Sequence, residues 1–206
     1  NLFMRQVKVF PPSAIDASDN FFSKERPSSE ESPGRLYVGV CAPGTRIKTT
    51  LLRVYVAYMA AAQKLYEDYG KDADTWMTLV GYFNSLRELG GMKRLAEDTI
   101  RTRLRQMDKR NFPNRYIESW TIEELTSRKS ATDIPQILDH LDVIFDPLAE
   151  EARKAKTEKS VDIKRPLDMV LATNMISVGV DVSRLGLMVV ASQPKATAEY
   201  IQATSR

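Results

Sequence analysis

Two kinds of apolar pattern alternate along this chain. Short continuous runs occur at "RLYVGVCA" (35–42), "MTLVGYF" (77–83), "LDMVLAT" (167–173) and "LGLMVVAS" (185–192). Each is rich in β-branched or aromatic residues and predicts a strand. Between them lie longer stretches with helical spacing. "TTLLRVYVAYMAAAQKLYEDYG" (49–70) predicts a long helix, apolar on most sides and capped by Gly70. Leu86, Leu89, Met92, Ala96, Ile100 and Leu104 fall in steps of three and four, one face of a helix with Leu95 at its margin. Gly90-Gly91 weakens that helix and divides it. A further strand lies within "RYIESWTIEELT". A helix begins at "TDIP" and carries Ile134, Ile137, Leu138 and Leu141 on one side. The terminal "TAEYIQATSR" begins another helix.

The strand runs show little polar–apolar alternation, the mark of a parallel sheet covered on both faces. The expected class is therefore α/β, a mostly parallel sheet with helices on both faces, here preceded by an extension. Residues 1–35 are rich in Ser, Pro and charge and read as a loop, with Phe21 and Phe22 pinning it to a surface. The expected division is an extension of 1–75 and a sheet domain of 76–206. In such sheets ligands bind beyond the carboxyl ends of the strands. The loops after Phe83, Leu125, Thr173 and Ser192 are therefore the places to look for chemistry.

Composition narrows this only a little. The 206 residues are 43% apolar, enough for a core, and the net charge of +3 permits nucleic-acid binding without arguing for it. The single cysteine, Cys41, excludes an internal disulfide framework and reads as a small buried side chain of the first strand. With one His and one Cys, His140 and Cys41, neither a zinc site nor a catalytic triad is visible, and no metal ligands are assigned. No apolar run is long enough to span a bilayer, so a cytoplasmic protein without membrane contact is expected. The chain starts at Asn1 and stops inside a helix, and both ends read as cuts in something longer.

Two stretches imitate nucleotide chemistry. "APGTRIKTT" (42–50) links a strand to a helix, as a phosphate loop does. With Lys48 and Thr49 in the last places of G-x-x-x-x-G-K-[ST], the two glycines become Ala42 and Ile47. The backbone then lacks the freedom to wrap phosphates, and Thr49 or Thr50 reads as an ordinary helix cap. "VIFDPLAEE" places Asp146 after an apolar run, but Pro147 follows and no Asp-Glu pair is present. The chain has no Mg-ATP cradle of its own.

"LATNMISVGVDVSRLGLMVV" (171–190) sets a polar turn between two buried strands. Ala172, Thr173, Gly179, Val180, Asp181 and Val182 resemble motif V of superfamily 2 helicases and translocases, A-T-x-x-x-x-x-G-[IV]-D-[IVL]. "TLVGYFNSLRE" (78–88) resembles motif IV, with Phe83, Asn84, Ser85 and Arg87 matching. "YIQATSR" resembles the first half of motif VI, Q-x-x-[GS]-R, with Gln202, Ser205 and Arg206 matching and the final x-G-R beyond the given residues. "LTSR" (125–128) sits where the family places another loop facing nucleic acid. The wording around motifs V and VI further resembles the large helicase component of DISARM-type bacterial anti-phage systems.

The resemblance covers about residues 76–206. It implies the second, C-terminal RecA-like domain of a P-loop NTPase-type motor, cut within motif VI. It implies a nucleic-acid grip by Asn84, Ser85, Arg87, Thr126, Ser127, Arg128, Thr173 and Asn174, with DNA favoured over RNA. Gly179, Asp181, Gln202 and Arg206 would face ATP and its Mg, held mainly on a first RecA-like domain that carries the Walker motifs. Arg206 would also act catalytically, offsetting charge on the phosphates in the transition state. The fragment alone would be inactive, and the full protein an ATP-dependent helicase. Its partners would be nucleic acid, its own first domain and other defence proteins. Without the motif, Ser85 reads as a helix N-cap, and Thr173 and Asp181 as turn residues. Gln202 and Arg206 then belong to a solvated helix face. The basic run Arg101, Arg103, Arg105, Lys109 and Arg110 reads as a solvated face, and Trp76 and Trp120 as core or interface anchors. The competing function is a non-hydrolysing nucleic-acid-binding or scaffold module of the same fold.

Overall fold

The structure, a computed structural model, describes residues 15, 16, 18, 19, 21, 24–154, 164–174 and 182–204. The chain divides into two compact units, Asn1–Cys41 and Ala42–Arg206.

In the first unit, short antiparallel bridges join Asp16 to Asp19 and Asp19 to Lys24. The Asp16 carboxylate accepts the backbone N–H and the hydroxyl of Ser18, at 2.9 and 2.8 Å, which holds its carboxyl below the usual range. The strand expected at 35–42 does not form. Leu36, Val38 and Val40 are exposed, and none of them joins a described strand. A β-branched run becomes a strand only where a neighbouring edge satisfies its backbone. Cys41 is exposed as well, so the expectation of a buried thiol falls with that strand. Phe21 is exposed, and Phe22 lies outside the described residues.

The second unit is built on four parallel strands, β1 (Leu79–Phe83), β2 (Ile122–Leu125), β3 (Met169–Ala172) and β4 (Leu187–Ala191), in the order β2-β3-β1-β4. Successive side chains point to opposite faces. Leu79, Phe83, Met169, Leu171 and Val189 enter one core, and Val80, Tyr82, Val170 and Ala172 enter the other. The first core is closed by α1 (Ile47–Tyr69), α4 (Met92–Leu95) and α5 (Arg101–Leu104), and the second by α6 (Asp133–Leu141) and α8 (Thr197–Thr204). The α/β class with helices on both faces of a parallel sheet is thus observed, and the architecture is RecA-like. α1 packs into the sheet's own core and belongs to the same compact unit, Ala42–Arg206.

α1 starts after a turn in which Gly44 has φ +75° and ends at Gly70, whose N–H closes on the carbonyl of Tyr66. Its N-cap is Arg46, with no side-chain cap. Thr49 and Thr50 therefore lie inside the first turn and are not the caps that sequence suggested. Gly91, at φ +80°, separates α3 (Leu86–Leu89) from α4, the break expected at Gly90-Gly91. A five-residue π-turn, Ala96–Ile100, then joins α4 to α5. Met92, Ala96, Ile100 and Leu104 repeat every four residues and are all fully buried. A spacing of four overshoots the ordinary helical turn of 3.6 residues, and the wider turn absorbs the excess.

Buried charge locks the amino end of the sheet. Arg115 and Asp168 are 2% and 1% exposed and pair at 2.8 Å. Asp168 also accepts the Thr121 hydroxyl at 2.6 Å, and Arg115 donates to the carbonyl of Met77 at 2.6 Å. A second lock joins α2 (Asp74–Met77) to the approach of β4. There Arg184 donates to both carboxylate oxygens of Asp74, at 2.7 and 2.8 Å, to the Thr78 hydroxyl and to the carbonyl of Leu141. The ring of Phe145 lies between the two guanidinium groups, 5.7 Å from Arg115 and 5.8 Å from Arg184. The segment after β2 contributes a further helix, α7 (Pro147–Lys154), not expected from its charged sequence. Among the described residues no helix is long and apolar enough to cross a membrane.

Candidate functional site

The parallel register places the four candidate loops side by side. Tyr82 and Leu125 both pair with Ala172, and Phe83 pairs with Ala191. The carboxyl edge is therefore a row in two steps, with Thr126 beside Thr173 at the level of Phe83, and Asn84 beside Ser192 one residue further on. The ladder continues one step beyond the strands, since Thr173 N–H donates to the carbonyl of Leu125 at 3.3 Å.

Within the row the expected residues divide into builders and presenters. Asn84 is a builder. Its side-chain amide donates to the carbonyls of Ala191 and Ser192, at 3.3 and 3.2 Å, and so ties β1 to β4. That tie accompanies a left-handed backbone at Ser192, φ +68°, which turns the chain sharply at the end of β4. Thr126 is also a builder. It is fully buried, and its hydroxyl accepts the N–H of Arg128 while its carbonyl accepts that of Lys129. Asn84 and Thr126 thus both shape the loops through these bonds. Ser85 caps α3, its oxygen accepting the N–H of Glu88 at 3.3 Å, as the motif-free reading had it. Thr173 is 5% exposed, while Arg87, Ser127, Arg128 and Asn174 are exposed. Arg87 makes no ion pair with another described residue. Lys129, by contrast, is paired with Glu123 at 3.1 Å.

The nucleotide side is only partly described. Gly179, Asp181 and Arg206 lie outside the described residues. Gln202 is on the exposed side of α8, next to the buried Ala203 and Thr204. α8 is fixed to the sheet by Tyr82, whose hydroxyl donates to the Glu199 carboxylate at 3.0 Å. Burial first, and then that hydrogen bond, push the Tyr82 hydroxyl up to about 12.

Two residues of the basic run are paired with one acid. Arg101 bonds Glu118 at 2.9 Å and the carbonyl of Ile117, and Arg105 approaches Glu118 at 3.7 Å. Trp76 and Trp120 are exposed rather than in the core, and Arg165 lies over the Trp120 ring. Among the described residues no group of three or more metal-ligating side chains occurs.

Sequence reasoning missed one residue of this edge. Lys48 lines a cavity of about 500 Å³ with Leu51, Phe83, Ser85, Arg87 and Ser192. It was considered only as the lysine of a phosphate loop. In the structure its Nζ donates to the carbonyl of Gly90 at 2.6 Å, so it is not folded back over its own loop.

No protein-family model matches the chain. Over 204 residues it is 46% identical to DISARM protein DrmA from Bacillus paralicheniformis, an alignment covering 97% of this chain. The chain spans 16% of that relative's length. The likeness is thus to one stretch of that relative, and it extends over nearly the whole of this chain.

Proposed function

We propose that this chain is the closing RecA-like half of an ATP-driven nucleic-acid motor within a DISARM-type defence protein. Arg87, Ser127, Arg128 and Asn174 would take successive phosphates of one strand, with Thr173 between them. Such contacts grip a backbone without reading its sequence. Gly179, Asp181 and Gln202 would face the nucleotide, and Arg206 would offset charge on the transferring phosphoryl group. ATP with Mg would be bound mainly by a first RecA-like domain. The other partners would be DNA and further proteins of the defence system. Alternation between two grips as the cleft opens and closes would move the strand.

One observation carries this reading. The strand ends at Phe83, Leu125 and Ala172, which lead into the stretches resembling motif IV, the "LTSR" loop and motif V, stand in adjacent register at one edge of a parallel sheet, and the helix carrying Gln202 is bonded to β1 through Glu199 and Tyr82. The test is ATP hydrolysis by the full-length parent protein with single- and double-stranded DNA. Wild type is expected to be stimulated by DNA. Arg206→Ala is expected to lose a factor on the order of 10³ or more in turnover while still binding DNA. Absence of any stimulation, or a fully active Arg206→Ala, would overturn the proposal. DNA binding without hydrolysis would favour the scaffold alternative.

A further inference from the structure

The seat of Lys48 is made by the two glycines that break the helix. The Gly90 carbonyl accepts one of the three ammonium N–H groups at 2.6 Å. Gly91, at φ +80°, has no side chain there, and a Cβ would stand 3.3 Å from Nζ. Seated this way, the ammonium lines the same cavity as Arg87 and the Ser85 hydroxyl at the carboxyl ends of β1 and β4. Glu88 is the single acid among the lining residues, against two cations. The first turn of α1 carries no acidic residue and no side-chain cap. Lys48 pairs with no carboxylate among the described residues, and two of its three N–H groups remain for an anion. Ile47, Leu51, Phe83 and Ala191 line the same cavity.

We infer that Lys48 is a phosphate ligand for the nucleic-acid backbone, one contact beyond Ser85 and Arg87 toward β4. This rests on the reading of the carboxyl edge as a nucleic-acid grip. It extends that grip to a helix outside the recognised motifs. It also gives the Gly90-Gly91 break a purpose, since an uninterrupted helix would have neither the free carbonyl nor the clearance that seats the lysine. The ligand is a phosphodiester of a strand, and the same chemistry on a free nucleotide is separated by the test.

The test measures binding of this chain to a labelled single-stranded oligonucleotide and its duplex over a salt series, with circular dichroism to confirm folding. Lys48→Gln keeps a donor for Gly90 and removes the charge. It is expected to lower the slope of log affinity against log salt by about 0.7 on the single strand and about 0.9 on the duplex, one phosphate contact. Lys48→Arg is expected to keep the wild-type slope. An unchanged slope in Lys48→Gln, with Arg87→Ala still lowering it, would overturn the inference and leave the grip standing. Folded wild type binding neither oligonucleotide would overturn both. An effect of Lys48→Gln on ATP binding alone would assign the lysine to a nucleotide and overturn the inference.

Discussion

Among the described glycines, Gly81 of β1 leaves the least room for a side chain, against Tyr55 of α1, and this can be tested by substitution. A Cβ built on Gly81 would stand 2.1 Å from the Tyr55 hydroxyl oxygen, and 3.0 Å from both the Tyr55 ring carbon and a Leu171 methyl. Tyr55 is fully buried, and its hydroxyl has no hydrogen-bond partner among the described residues. That burial pushes the hydroxyl well above the ordinary tyrosine range. Gly81→Ala is expected to cost about 3 kcal/mol, the upper part of the usual range for overpacking, because the obstacle is a rigid ring between helix and sheet. Tyr55→Phe removes the clashing oxygen together with an unsatisfied buried group worth about 1–3 kcal/mol. Alone it is expected to be neutral or stabilising. The double variant is then expected to be at least about 1 kcal/mol more stable than the two single effects added together. Urea unfolding followed by circular dichroism measures all four proteins, with an unchanged denaturant slope confirming a like-for-like comparison. Additive effects would refute the reasoning, since they would mean that the methyl group and the hydroxyl do not compete for one space.

Three further outcomes follow from the polar contacts. Asp168→Ala leaves the buried Arg115 guanidinium without its carboxylate and is expected to cost about 3–5 kcal/mol in the same urea assay, so a loss below about 1 kcal/mol would sink the buried-lock reading. Arg184→Lys keeps the charge but loses the two-pronged bond to Asp74. It is expected to lower stability by about 1.5–3 kcal/mol, and a wild-type urea midpoint would count against that role. The folded-state pKa of Tyr82 is raised from 10.0 to about 12, so its contribution is complete below pH 10 and is lost as pH rises through 12. Tyr82→Phe should therefore flatten the alkaline fall in stability over that window, and an unchanged fall in a pH series of melts would contradict it.

The strands that sequence revealed were those whose apolar runs are buried on both faces, because a continuous run is the direct imprint of a covered parallel strand. The run at 35–42 carried the same imprint without becoming a strand, since composition records what a strand could bury and not whether an edge is there to receive it. The helix face from Leu89 to Leu104 was legible, including its steps of four from Met92 onward, although the π-turn that the spacing required was not drawn from it. Site residues were legible as motif letters, while their hydrogen-bond partners within the fold were not. Asn84 and Thr126 occupy motif positions, yet their polar atoms serve carbonyls and N–H groups of the loops themselves. The two buried locks left no trace in sequence. Arg115 and Asp168 are 53 residues apart, and Arg184 and Asp74 are 110 apart, so no local pattern pairs them.

These locks matter because of where they act. Both sit at the amino end of the sheet, where β1, β2 and β3 begin and where the chain approaches β4. The candidate grip sits at the opposite end, four or five residues along each strand. A buried ion pair adds little stability over well-packed apolar groups, but it strongly disfavours any arrangement that separates its members. Fixing the strand starts in this way fixes their register, and the register is what sets Thr126 beside Thr173, and Asn84 beside Ser192 one step further on, along one edge row. A slip of one residue in β3 would exchange the two cores and carry Thr173 out of that row. Loops that must hold successive phosphates of a strand need this alignment more than they need rigidity of their own. The charge buried at one edge is therefore the structural reason that exposed charge at the other edge can act as a single surface.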